Sequence, residues 1–420
     1  MTTTGPASSE SSSPAASALS SSGTPIRRRR SWPVVTGATA VLVGLLSAAA
    51  CSSPTAQGPP AAGDVPVVAA PQASNGSAPD RTADVARQAL LRDVLDRHLA
   101  AGEFVGARIA LRVPDGTITQ AESGTATIDP ASSPVDPDLA WNVGSVTKTF
   151  VAVVVLQLAE EGAVDLDGGI DAWFPDLPGA DRITVRQLLQ HTSGLGEYKD
   201  QPDVLRDPTR RWTPSELIAV AEAGGRVGEP GGAHHYANTN YIVLGEIVGK
   251  VTGHAWADEV RTRVVEPLGL AHTGEISDER PVGYQAADSA FVDATWSSDP
   301  SIGGAAGAMQ STGRDLLRVV TALADGTLLS PPSLAAMRTF VAAEDYSQFG
   351  IVHGYGLGLE RYVLDGLTVE GHMGTGDAQS AYVGYDTERG TAVAVMTNTA
   401  TPGPQAIMAV EALTAVRAIG

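Results

Sequence analysis

From about residue 82 the order of apolar and polar positions changes period several times, and each change marks an element. DVARQALLRDVLDRHLAAG repeats every three to four residues, placing Val85, Leu90, Leu91, Val94, Leu95 and Leu99 on one side of a helix. GARIALRV and TITQAESGTA then read as two strands around the turn Pro114-Asp115-Gly116. A long apolar run containing Val151, Leu156 and Leu158 predicts a buried helix opened by Gly144-Ser145-Val146-Thr147-Lys148. Helical patterns dominate up to about residue 275: ITVRQLLQHTSGL, TPSELIAVAEAGG, TNYIVLGEIVGKVTG and WADEVRTRVVEPLGL. Thr213 and Glu216 carry the spacing of a capping box. Farther on, STGRDLLRVVTALADG and PPSLAAMRTFV read as helices, and YGLGLERYVLDG, LTVEGHMGTGDAQSAYVGYD and TAVAVMTNTA as strands. PQAIMAVEALTAVRAI closes the chain as a helix. Strands at both ends with helices between them predict an α+β fold. One central antiparallel sheet, flanked by helices, is built from both ends of the chain around a mostly helical insert at about 150–305.

The first 81 residues follow a different logic. A Ser/Ala-rich lead, Arg27-Arg28-Arg29-Arg30 and an apolar run from Trp32 to Ala50 end at Cys51, the sole cysteine. This order is expected of an export signal over residues 1–51. One cysteine excludes an internal disulfide, and its place directly after the apolar run predicts lipidation at Cys51, as in bacterial lipoproteins. Simple cleavage and an uncleaved anchor are the alternatives, and the paired arginines also suit the twin-arginine route. All three place the catalytic body outside the membrane, on the outer face of the cytoplasmic membrane if lipidated and secreted otherwise. Residues 52–81 are rich in Pro, Ala, Gly and Ser and read as a flexible linker, leaving 82–420 as the folded domain.

The formal charge of the 420 residues is −19. Nucleic acid is therefore not an expected partner, because phosphate binding needs a basic footprint.

Chemistry concentrates at Ser145 and Lys148. Residues three apart share a helix face, so a hydroxyl would lie beside an amine. An amine held neutral by burial can take the hydroxyl's proton and leave a nucleophile; arginine cannot serve in this way. The chain holds only three lysines, Lys148, Lys199 and Lys250, and this is its only Ser-x-x-Lys.

Two further motifs accompany it in order. Tyr236-Ala237-Asn238 follows the turn EPGGAHH, and His372-Met373-Gly374-Thr375 lies on a predicted strand. The trio SVTK, YAN and HMG resembles that of the serine D-alanyl-D-alanine carboxypeptidases, class C β-lactamases and penicillin-recognising esterases. The resemblance extends through QHTSGL, PLGLAHT and YGLGLE and covers nearly all of residues 86–420. It implies a serine hydrolase that works through an acyl-enzyme without a cofactor or metal. Ser145 would be the nucleophile, Lys148 its base and Tyr236 a proton relay. Asn238 would orient Lys148 and bind the substrate amide, and His372 would polarise the far side of the cleft. Gly374 and Thr375 complete the third motif, with the N–H groups of Ser145 and Thr375 as the expected oxyanion hole.

Two departures bear on the substrate. Met373 stands where the carboxypeptidases carry a threonine, and Glu360 follows the G-L-G-L strand where they carry an arginine, both binding a terminal carboxylate. The expected substrates are D-amino-acid peptides or β-lactams, with a carboxylic ester as the alternative and a non-turnover penicillin-binding sensor as the rival. His191 and Ser193 lack a G-x-S-x-G elbow and read as turn-stabilising residues. His234-His235 has no further ligand at metal spacing.

Overall fold

A computed structural model describes residues 81–277, 281–287, 290–343, 352–364 and 366–419. The export signal with Cys51, and the linker up to residue 80, lie outside the described residues.

An eight-stranded antiparallel sheet forms the framework. In spatial order its strands are Ile118–Gly124, Gly106–Arg112, Thr391–Thr397, Ser380–Asp386, Leu367–Thr375, Glu360–Leu364, Val352–Tyr355 and Val341–Ala342. The two ends of the chain meet where Gly106–Arg112 pairs with Thr391–Thr397, Ala107 opposite Thr397 and Arg112 opposite Ala392. Thr391–Thr397 is buried along its whole length, because helices cover both faces of the sheet. Ile109, Leu111, Val393 and Val395 face the terminal helices Arg81–Ala100 and Pro404–Arg417. Ala110, Ala394 and Met396 face the opposite core, which holds the inserted helices. That face is paved with alanine: a Cβ on Gly313 of the helix Gly313–Ala324 would lie 3.0 Å from the Ala110 Cβ.

The helix Thr147–Glu160 is the hub of the second core. Eleven consecutive or near-consecutive side chains from Thr147 to Leu158 are buried, as expected of a helix that is apolar all round. A loop between the strands Val352–Tyr355 and Glu360–Leu364 pins it. Leu357 and Leu359 are buried there, and Thr149 donates to the Gly358 carbonyl at 2.8 Å. Gly358 has φ +73°, and a Cβ on it would come within 2.4 Å of the Ala152 Cβ.

Three local differences from the sequence pattern have simple causes. Val85 is exposed, because it sits roughly 120° round the helix from the buried Leu91–Val94–Leu95 stripe. The helix expected over WADEVRTRVVEPLGL is interrupted by a π turn at Arg261–Val265, just before Pro267. Proline has no N–H to continue the ladder, and the wider turn takes up the defect. The single strand expected over YGLGLERYVLDG is two, divided by the Gly358 loop.

Candidate active site

Ser145 lies in a 3₁₀ turn, Gly144–Val146, directly before the hub helix. The turn is fixed by its own polar groups. The Asn142 carboxamide accepts from the Gly144 N–H at 2.7 Å, and the Thr147 hydroxyl donates to the Gly144 carbonyl at 2.6 Å. Gln379 on the sheet side takes the Asn142 N–H at 2.6 Å. Gly144 has φ +51°, and a Cβ there would fall 2.7 Å from the Thr375 nitrogen. On the facing strand, a Cβ on Gly374 would fall 1.9 Å from the Val143 oxygen and 2.8 Å from the Ser145 nitrogen. Two glycines thus let two backbones touch, bringing the Ser145 and Thr375 amides to one spot. Gly374→Ala is therefore expected to push them apart and lower kcat by about 10²–10³-fold, the usual loss when an oxyanion donor is removed. Steady-state kinetics on the folded variant would show it, and unchanged kcat would contradict the geometry.

Lys148 is fully buried, and its Nζ has three neighbours. It donates to Asn238 Oδ1 at 2.8 Å and to the Ala306 carbonyl at 2.8 Å, and it lies 2.9 Å from Ser145 Oγ. A neutral amine has two N–H bonds and one lone pair. With both N–H bonds directed at carbonyl oxygens, the lone pair is left for the Ser145 hydroxyl. Burial holds the Lys148 pKa well below its ordinary value, and the positive charge of Lys199 pushes it in the same direction against Glu197 and Glu360.

Tyr236 and Asn238 lie at the entrance to the helix Thr239–Thr252. Lys148 Nζ is 4.8 Å from the Tyr236 ring centroid. Burial raises the Tyr236 pKa well above 10, and its hydrogen bond with Ser145 opposes the shift only in part. The phenol is therefore protonated near neutrality, rather than an anion stabilised by a cationic lysine. Asn238 is oriented by Glu197, whose carboxylate accepts from the Asn238 backbone N–H and from Nδ2 at 3.1 Å. That contact turns Oδ1 towards Lys148.

His372 is placed differently from the sequence expectation. Its side chain is fully buried and does not line the cleft. Its Nδ1–H donates to the Met373 carbonyl at 2.6 Å, and Nε2 lies 2.9 Å from the Tyr355 hydroxyl. The third motif reaches the cleft through Thr375 instead. His372 shares a face of the strand with Gly374, the face towards the hub helix, but its ring is enclosed there by Tyr355, while at Gly374 the backbone itself comes up against the nucleophile turn. Glu360 does not face the cleft either. It is buried and accepts from the Met373 N–H at 2.9 Å and the Tyr362 hydroxyl at 3.1 Å. Its strand begins there, and the carboxylate extends the ladder by one bond. Arg361, on the other face, stacks over Phe340 at 4.1 Å.

Burial holds the pKa values of His191 and His372 below 6.5, for His372 against the opposing charge of Glu360. In an unfolded chain both rings titrate near 6.5, so below that pH the unfolded state takes up protons that the folded state refuses. Their contribution is complete above pH 6.5 and lost as pH falls towards the folded values, by about 1.4 kcal/mol per pH unit for each ring. Urea denaturation should give a lower midpoint at pH 5.5 than at pH 7. A higher one would contradict the assignment.

The cleft is lined by Ser145, Asn238 and Thr375 together with Asn142, Lys199 and Asp377 among others. Asn142, Glu197 and Lys199 were not legible as site residues from sequence. The only hint was that Lys199 is one of three lysines, since each of these acts through a fold contact rather than a motif. Among the described residues no group of three or more His, Cys, Asp or Glu is placed to hold a metal ion.

The family profile described as Beta-lactamase matches residues 91–417, most of the chain. The chain belongs to the Beta-lactamase family. D-amino acid amidase from Ochrobactrum anthropi SV3, solved in complex with L-phenylalanine amide, superposes with a TM-score of 0.73 at 29% identity, covering 79% of this chain and 99% of that one. D-stereospecific amidohydrolase from a Streptomyces species gives 0.67 at 31% identity, with 77% and 98% covered. Penicillin-binding protein 4 of Amycolatopsis lactamdurans is 29% identical over 314 residues, 70% of this chain and 80% of the relative. The chain spans 61% of one Bacillus subtilis penicillin-binding protein and 31% of another. This membership makes the protein a serine hydrolase with a β-lactamase-like fold.

Proposed function

We propose that the protein hydrolyses the amide of a small D-amino-acid derivative through an acyl-enzyme on Ser145. The observation that carries the reading is the Lys148 amine, 2.9 Å from Ser145 Oγ with both N–H bonds directed elsewhere. Lys148 takes the hydroxyl proton as Oγ bonds to the carbonyl carbon, and the amides of Ser145 and Thr375 receive the developing oxyanion. The C–N bond then breaks. Neutral Tyr236 gives its proton to the departing nitrogen and is reprotonated from Lys148. Water, deprotonated by Lys148, attacks the ester carbonyl carbon; the C–Oγ bond breaks, Lys148 returns the proton to Ser145 Oγ, and the acid is freed.

Two departures from the carboxypeptidase pattern support an amide over a carboxylate-ended peptide. Met373 offers no side-chain donor and Glu360 is committed to the strand ladder, so neither can hold a terminal carboxylate. The structural relatives with D-amino acid amidase and D-stereospecific amidohydrolase activity support the substrate class. Incubation with D- and L-phenylalanine amide, a chromogenic cephalosporin and a short-chain nitrophenyl ester tests it. Faster ammonia release from the D-amide is expected; preferential cleavage of the ester or the cephalosporin would replace this substrate. Export with lipidation at Cys51 is part of the same proposal, supported by the arginine run and the apolar stretch before it. The mass of the mature N-terminus checks it, and an intact residue 1 would refute it.

A further inference from the structure

We propose that His191 is a positioning residue for the reaction at Ser145, holding Tyr236 from both sides and tying it through Tyr355 to the strand of His372 and Thr375. This rests on Ser145 being the nucleophile, as argued above, but not on the identity of the substrate.

Among the described residues His191 is the only non-glycine with positive φ, at 59°. That conformation disfavours a side chain with a Cβ and calls for a compensating reason in the surroundings. The reason lies in what it brings together. The His191 carbonyl accepts the His235 N–H at 2.9 Å, while its ring Nδ1 lies 3.3 Å from the Ala237 N–H, which donates to it. The residues on either side of Tyr236 are thus both bound to His191. Between them the two rings lie against each other, centroids 4.3 Å apart and tilted by 31°. Backbone and ring can face one segment only because the left-handed turn folds the carbonyl back towards the side chain.

The ring is also one link in a chain of hydrogen bonds whose protons are all accounted for. Ser193 donates to Asn240 Oδ1 at 2.5 Å, which orients the amide, and Asn240 Nδ2 donates to His191 Nδ1 at 2.9 Å. With Nδ1 accepting, the His191 proton is on Nε2 and points at the Tyr355 hydroxyl, 3.2 Å away. Tyr355 in turn donates to His372 Nε2 at 2.9 Å, since the His372 proton is on Nδ1 against the Met373 carbonyl. No member of the chain carries charge, and the Tyr241 hydroxyl, which donates to the Leu189 carbonyl at 3.0 Å, lies against the Tyr355 hydroxyl as a further neighbour. The chain runs from the segment beside Tyr236 to the strand whose Thr375 amide meets the nucleophile turn. A fully satisfied buried network of this kind restricts its members to one arrangement.

Two variants divide the device. Tyr355→Phe removes one hydroxyl and cuts the link between the rings. His191→Asn tolerates the left-handed backbone and keeps an acceptor near Ala237, but loses the ring and the Nε2 donor. Both are measured for unfolding temperature, for the rate at which a fluorophosphonate labels Ser145 (located by peptide mass), and for kcat and KM on the best substrate found. Labelling rate and kcat are expected to fall about 10- to 100-fold in each single variant, with KM changed less than about threefold. The double variant should be no slower than about the worse single one, because both interrupt one chain. Wild-type rates in folded single variants, or single losses that multiply in the double variant, would overturn the proposal. Absence of label on Ser145 in the wild-type protein would instead remove the nucleophile on which it rests.

Discussion

Ser145→Ala is expected to lower kcat/KM on the order of 10⁶-fold and to abolish any acyl-enzyme seen by mass spectrometry, with the fold intact. The side chain is half-buried at the mouth of the cleft; its loss takes one hydrogen bond from Tyr236 and one contact from the Lys148 amine, which keeps Asn238 and Ala306. Ser193→Ala is the matched control. Ser193 is fully buried, donates to Asn240 and accepts the Leu195 N–H at 3.1 Å, so it has no route to substrate. Its replacement should cost about 1–2 kcal/mol of stability and slow covalent labelling through the Asn240–His191 chain without abolishing it. Equal loss of labelling from both variants, each folded, would remove Ser145 as the nucleophile.

Lys148→Arg is expected to lower kcat/KM by about 10³–10⁴-fold, towards the upper end of what a positioned base contributes. The exchange keeps a donor for Asn238 and Ala306 but replaces a group that burial can neutralise with one that stays protonated. It also puts a planar, larger head where a tetrahedral one directs its third position at Ser145. The pH profile separates these effects from simple misfolding. In the wild type the base works when Lys148 is neutral, so activity should rise with pH through its depressed pKa and then level. That acid limb should be absent from the residual activity of the variant. Near-normal turnover, or an unaltered acid limb, would refute the role given to Lys148.

Much of the architecture could be read from local pattern, because a buried stripe or a cap is a short-range property. The capping box at Thr213 and Glu216 is one such feature: the Thr213 hydroxyl and the Glu216 carboxylate each accept the other's backbone N–H, at 3.3 and 2.9 Å. The sheet assembled from both ends of the chain followed from the placement of strands alone. The π turn before Pro267 and the divided YGLGLE strand were harder, since each settles a conflict between a continuous hydrophobic pattern and one residue's backbone demands.

The site divides in the same way. Sequence alone determined that Ser145 and Lys148 lie side by side, because they are one helical turn apart and that spacing places them together in any fold that keeps the helix. Only the tertiary structure decided their electrical state and their company. Burial and the charge of Lys199 lower the Lys148 pKa, Glu197 turns Asn238 towards it, and burial keeps Tyr236 protonated. His372 shows the limit most plainly: its motif marks the right strand, but Tyr355 encloses the ring and Thr375 lines the cleft instead. A pKa and a facing direction are set by neighbours tens to hundreds of residues away in the chain, and no local pattern records them.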